Sequence, residues 1–182
     1  MRFSVVIPLY NKEPYVEKTL RSVLDQSFSD YEIIVVNDGS KDGSLEVAKR
    51  VLEGVENVTI INQENVGVST ARNNGIAVAK GEYICILDAD DWWEPTFLEE
   101  MNKLIQEHPE AGLYCTNYYY VHNGKSTVKL DIPTGYFNYC KEYARTLCMI
   151  ATSSCCCNKA ILVEMSGFKP YLKLGEDFDL WI

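Results

Sequence analysis

The alternation of apolar runs and amphipathic segments through the first half of the chain leaves few folds open. Phe3 to Leu9 is a β-branched-rich run bounded by Pro8 and Asn11, and it reads as a buried strand. Pro14 to Gln26 then sets Val16, Leu20, Val23 and Leu24 on one helical face. Tyr31 to Val36 is a second continuous apolar strand, followed by Asn37-Asp38-Gly39-Ser40. Leu45, Ala48 and Leu52 mark a second amphipathic helix, closed by Gly54. Asn57 to Asn62 predicts a third strand, Ser69 to Ala79 a third helix stopped by Gly81, and Glu82 to Leu87 a fourth strand. Strands apolar on both faces, separated by amphipathic helices, imply an α/β fold with a mostly parallel central sheet and helices on both faces.

Beyond Pro95 the pattern is less regular. Pro95 suits the first turn of a helix running to about His108. Ala111 to Val121 is tyrosine-rich and strand-like, Lys129 to Gly135 reads as loop, and Tyr139 to Met149 as helix. Ser153 to Cys157 predicts a strand and Lys159 to Met165 a short helix. With no repeat, low-complexity tract or linker, residues 1–182 read as one domain, its halves falling at 1–100 and 101–182.

Ligands of parallel sheets gather at the carboxyl ends of the strands, and there the chain is rich in polar residues. Tyr10, Asp38 and Asp88 all follow such ends. In Asp88-Ala89-Asp90-Asp91 the first and third carboxylates would share a face if strand geometry persisted, an oxygen set suited to Mg²⁺ or Mn²⁺. A solvated acidic turn capping the next helix is the alternative. Asp38 could equally belong to an Asp-Gly-Ser turn, and Arg72 to a surface ion pair rather than a phosphate or base contact. Neither GxGxxG nor GxxxxGK[ST] occurs, which weighs against a dehydrogenase or P-loop enzyme.

Composition narrows the partners. A net charge of -9 weighs against sequence-independent binding to nucleic acid or anionic lipid. The seven cysteines include no CxxC pair, three are consecutive, and they suit buried thiols in a reducing compartment. The apolar start is broken by Pro8, and no run approaches the roughly 20 apolar residues of a membrane span. The expectation is a cytoplasmic protein, or one peripheral at the inner face of the membrane.

Five motifs in order resemble the family 2 glycosyltransferases, inverting enzymes with the nucleotide-sugar-binding GT-A fold, a Rossmann-like sandwich. They are Ser4 to Asn11, Val35 to Ser40, Asn65-Val66-Gly67 with Ala71-Arg72-Asn73, Leu87 to Asp91, and Gly167-Phe168 with Gly175 to Trp181. The likeness spans roughly residues 3–100 and 152–182 and is thin between them. It implies that Pro8 and Tyr10 line a nucleobase pocket, that Asp38 and Arg72 hold the base, and that Asp88 contacts the ribose. Asp90 would ligate Mn²⁺ or Mg²⁺ on the diphosphate, and Asp177 would be the general base. Glu176 and Asp179 could instead serve as helix-start residues.

The implied reaction moves a sugar from a nucleotide-sugar donor, UDP-linked by expectation, to a hydroxyl of a glycan or lipid-linked acceptor. A nucleotide-sugar-binding module without turnover and an aspartate-based phosphoryl-transfer enzyme are the competing classes. Tyr118 to Tyr120, Trp92 and Trp93 could stack on an acceptor sugar or simply pack. His108 and His122 read as surface residues. The exposed Trp181-Ile182 end suggests a catalytic domain from a longer protein.

Overall fold

The computed structural model describes residues 1–122, 125–128, 135, 136, 138, 140, 141, 150–172 and 174–181. Four strands, β1 (Phe3–Leu9), β2 (Tyr31–Asp38), β3 (Val58–Gln63) and β4 (Tyr83–Ile86), alternate with α1 (Val16–Leu24), α2 (Ser44–Val51) and α3 (Val68–Val78). Then come α4 (Phe97–Glu107), β5 (Leu113–Cys115), a hairpin of β6 (Tyr119–His122) and β7 (Lys125–Val128), and β8 (Cys155–Asn158). The short helices α5 (Lys159–Glu164) and α6 (Glu176–Trp181) follow. The main sheet has the order β3-β2-β1-β4-β8-β5. β1 to β4 are parallel, and β8 runs antiparallel to both β4 and β5.

Strand alternation divides the core. Phe3, Val5, Ile7 and Leu9 face one layer with α1, α2 and α4, through Leu20, Ala48, Leu98 and Met101. Val6, Ile34 and Val36 face the other, where α3, α5 and α6 supply Ala71, Ile76, Leu162 and Leu180. The expected two-faced burial and parallel sheet are therefore present. Pro8 sits inside β1, a central strand, yet breaks no ladder. β4 pairs with β1 only as far as Val6, whose carbonyl accepts from Leu87, so the side Pro8 faces has no strand left to bond.

Two expectations need correction, and one strand was missed. Ala111 to Val121 divides into β5 and β6, because pairing with β8 lasts only from Leu113 to Cys115. The first part of Ser153 to Cys157 is not strand: Thr152–Ser154 is a 3₁₀ turn closed by the Ser154 amide on the Ala151 carbonyl, and β8 starts at Cys155. β7 was hidden in a polar stretch with no apolar alternation. The expected loop and helix over 129–149 lie mostly outside the described residues.

Cys85, Cys155, Cys156 and Cys157 are buried where β4 meets β8, as expected of core thiols. Burial pushes the Cys155 and Cys156 thiols well up and the Cys157 thiol to about 12. A thiol reagent at about pH 8 should therefore modify exposed Cys140 ahead of these four in the native protein, since the thiolate is the nucleophile. Peptide mapping by mass spectrometry reads the order.

Gly75 lets α3 lie against the sheet: a Cβ there would come within 2.4 Å of Val6 Cγ1. Gly75→Ala gains about 1 kcal/mol of helix propensity. Overpacking in a filled core costs about 1–3 kcal/mol, so the substitution should lower the urea midpoint with the slope unchanged.

Candidate active site

The carboxyl ends of β1, β2 and β4 meet along one edge. Because β8 runs antiparallel, its entering turn Thr152–Ser154 reaches that same edge. There the strand geometry assumed for the aspartates ends. β4 stops at Ile86, and the Asp91 amide donates to the Asp88 carbonyl at 2.9 Å, closing a turn. Asp88 and Asp90 accordingly engage different cations rather than sharing one face as a pair. Asp88 accepts from Arg72 Nη2 at 2.8 Å, and Asp90 from Lys12 Nζ at 2.5 Å.

Arg72 is buried, 4% exposed, inside α3. It is no surface ion pair. Nη1 donates to Glu176 Oε1 at 2.9 Å while Nη2 serves Asp88, and the Phe168 ring lies 5.0 Å from the guanidinium carbon. Burial alone would lower the Arg72 pKa, but the two carboxylates more than offset it and hold the value above the ordinary one. Its Nε is buried and finds no partner among the described residues.

Asp38, the last residue of β2, is also buried. Its Oδ1 accepts from Gln63 Nε2 (2.8 Å) and the Val66 amide (2.9 Å). Its Oδ2 accepts from the Gly67 amide (2.9 Å) and Asn65 Nδ2 (3.2 Å). One carboxylate thus clamps the loop before α3, whose Gly67 takes φ +99°. Pro8 is buried in β1, whereas Tyr10, just past its end, is 42% exposed.

Asp177 stands in the first turn of α6 and accepts from Thr152 Oγ1 at 3.3 Å. The neighbouring Ser153 fixes the aspartate turn: its hydroxyl accepts from the Asp88 amide at 3.1 Å and donates to Asp91 Oδ2 at 2.6 Å. Protein packed around the Asp91 carboxylate, with Asp88 and Asp90 nearby, raises its pKa despite the Ser153 bond. Trp93 is core, stacked on Phe97 at 4.1 Å with Nε1 bonded to the Ser153 carbonyl. Trp92 stays exposed with Lys18 over its ring.

Lys12, Thr152 and Ser153 were missed by sequence reasoning. Lys12 had one legible signal, its place just beyond the carboxyl end of β1. The Thr152–Ser153 pair had none, since its position depends on β8 reversing direction. Among the described residues, no group of three His, Cys, Asp or Glu side chains is disposed to hold a metal by itself. Asp90 is 39% exposed, and its partner there is the Lys12 ammonium.

A profile of glycosyl transferase family 2 matches residues 4–167. The chain belongs to that family. It is 41% identical over 118 residues to the glycosyltransferase GlyA of Streptococcus pneumoniae, covering 65% of this chain and 17% of GlyA. It is 36% identical over 115 residues to a chondroitin synthase of Pasteurella multocida, covering 63% and 12%. The structure of S. aureus TarS 1-349 in complex with UDP-GlcNAc superposes with a TM-score of 0.79 at 25% identity, across 100% of this chain and 52% of that one. This family 2 chain thus spans well under two thirds of the length of these relatives. The fold expected from the motifs, a GT-A sandwich, is the fold observed, and the family favours glycosyl over phosphoryl transfer.

Removing Arg72 would leave the Asp88 and Glu176 carboxylates facing each other's field without a cation. Arg72→Ala should cost about 3 kcal/mol, the low end for breaking a buried pair because Asp88 is 33% exposed. Arg72→Lys should recover only part of this, lacking the two-pronged geometry. Urea denaturation of the three proteins gives the comparison.

Proposed function

We propose that this chain carries the donor-binding and catalytic centre of an inverting, metal-assisted glycosyltransferase that uses a UDP-sugar. The observation that carries the reading is the convergence of Tyr10, Asp38, Arg72, Asp88, Asp90 and Asp177 on one sheet edge in a family 2 fold. TarS, solved with UDP and with UDP-GlcNAc at 25% identity, supports the choice of nucleotide.

In this reading Tyr10 stacks on the base, beside the floor formed by Pro8. Asp38 shapes the base pocket by fixing the 65–67 loop, since its oxygens are already engaged by Gln63, Asn65 and the Val66 and Gly67 amides. Arg72 orients Asp88 toward the ribose. Asp90, once released by Lys12, would be the residue that holds Mn²⁺ or Mg²⁺. The metal, when bound, neutralises charge on the departing diphosphate. Lys12, released beside that diphosphate, adds a second positive charge there. Asp177 accepts the proton of the acceptor hydroxyl as its oxygen bonds the anomeric carbon and the bond to the diphosphate breaks, which inverts the configuration in one step. The acceptor is a glycan or lipid-linked glycan. Free buried thiols support a reducing, cytoplasmic setting, and no described helix is long and apolar enough to cross a membrane.

Isothermal titration with UDP should show binding strengthened by MnCl₂. In Asp90→Ala that metal dependence should fall by about tenfold or more, equivalent to about 1.4 kcal/mol. No affinity for UDP with or without Mn²⁺ would overturn the reading.

A further inference from the structure

We propose that Cys115 and Cys155 form an oxidisable pair, which a peroxide closes into a disulfide tying β5 to β8 directly behind the Thr152–Ser154 turn. This modification site stands apart from the choice of donor or acceptor. Facing residues in an antiparallel ladder alternate between hydrogen-bonded pairs and closer, non-hydrogen-bonded pairs with Cα atoms about 4.5 Å apart. Hydrogen bonds at both ends of the β5–β8 pairing fix that alternation. The Asn158 amide donates to the Gly112 carbonyl and the Thr116 amide to the Ser154 carbonyl, each at 3.0 Å. Between them the register makes Tyr114 and Cys156 a hydrogen-bonded pair, and Cys115 and Cys155 a non-hydrogen-bonded one. Both thiols therefore leave the sheet on one face, at close range. A disulfide spans Cα separations of about 4.4–6.8 Å, so this position accepts one with little movement of either strand.

A second pair on β8 shares this geometry but not its access. The Lys159 amide donates to the Glu82 carbonyl at 2.9 Å, so Cys85 and Cys156 also face each other at a non-hydrogen-bonded position. Both are 0% exposed, whereas Cys115 is half-buried on β5, the edge strand of the sheet. An oxidant therefore meets Cys115 first. The Cys115 thiolate attacks one peroxide oxygen and becomes a sulfenic acid, and the other oxygen leaves as hydroxide and takes up a proton. The Cys155 sulfur then bonds the Cys115 sulfur, the S–O bond breaks, and the Cys155 proton departs with the hydroxide as water. Two thiols are oxidised and one peroxide is reduced to two waters. Burial keeps Cys155 protonated, so its reaction depends on a partner already held opposite. Disulfides of reducing compartments are commonly transient or redox-sensing, which fits a pair that closes only under oxidant. The site would feel the change. Cys155 Sγ donates to the Ala151 carbonyl at 3.2 Å, and the turn this bond helps close carries the Thr152 and Ser153 contacts to Asp177, Asp88 and Asp91. A disulfide removes that donor.

The test treats the native 182-residue chain with stoichiometric hydrogen peroxide, blocks remaining thiols with N-ethylmaleimide, and maps peptides by non-reducing mass spectrometry. A Cys115–Cys155 link should form about tenfold or more faster than a Cys85–Cys156 link, because access to the thiolate governs the rate. Dithiothreitol should reverse it. In Cys155→Ser, dimedone should trap Cys115 as the sulfenic acid; in Cys115→Ser, Cys155 should stay unmodified. Oxidation should also shift the Ser153 and Ser154 amide resonances reversibly. Native Cys115 that accumulates as sulfinic acid without a link, joins Cys140 instead, or joins Cys155 only in urea overturns the proposal. A Cys85–Cys156 link that forms first also overturns it, and unmoved amides overturn the effect on the turn.

Discussion

A single buried guanidinium holds this site together. Arg72 lies in α3, yet its two terminal nitrogens bind Asp88 at the end of β4 and Glu176 at the start of α6, 104 residues further along the chain. A buried charge without partners is too costly to persist, so the guanidinium and both carboxylates fix one another. The consequence reaches beyond stability. Glu176 adjoins Asp177, and Asp88 adjoins the turn that carries Asp90, so one interaction sets the spacing between the two halves of the proposed chemistry.

The sheet makes that meeting possible. Parallel β1, β2 and β4 deliver their polar carboxyl ends to one edge, and the reversed β8 returns the Thr152–Ser154 turn to the same place. Ser153 then binds the aspartate turn twice while its neighbour Thr152 binds Asp177. Three carboxylates in four residues would repel one another without such support. Arg72, Lys12 and the Ser153 hydroxyl each answer one of them.

The same edge explains a division between rigid and open parts. Asp38 and Arg72 are buried and saturated with partners or nearly so, which makes them positioning groups for loops and for other carboxylates. Tyr10, Asp90 and Trp92 keep solvent contact and are the groups a ligand can reach. A carboxylate engaged by a lysine at the surface is also the one whose partner is most readily exchanged, because exposed ion pairs contribute little stability.

Much of this was written locally. The period of the apolar residues dictated the order of strands and helices through β4, and Pro8, Gly67 and Gly75 mark positions that only particular backbone demands explain. The family motifs marked Tyr10, Asp38, Arg72, Asp88, Asp90 and Asp177 as a set. Neighbouring residues alone could not decide which carboxylate faces which cation, because that depends on strands that reverse and on helices distant in sequence. The turn that ends β4 separates Asp88 from Asp90, and the antiparallel β8 introduces Thr152 and Ser153. The partner of Asp90 proves to be Lys12, brought there by the parallel register of β1 and β4. Sequence determined the layers and the candidate groups; tertiary structure alone paired the charges, since Coulomb interactions follow distance in space and not along the chain.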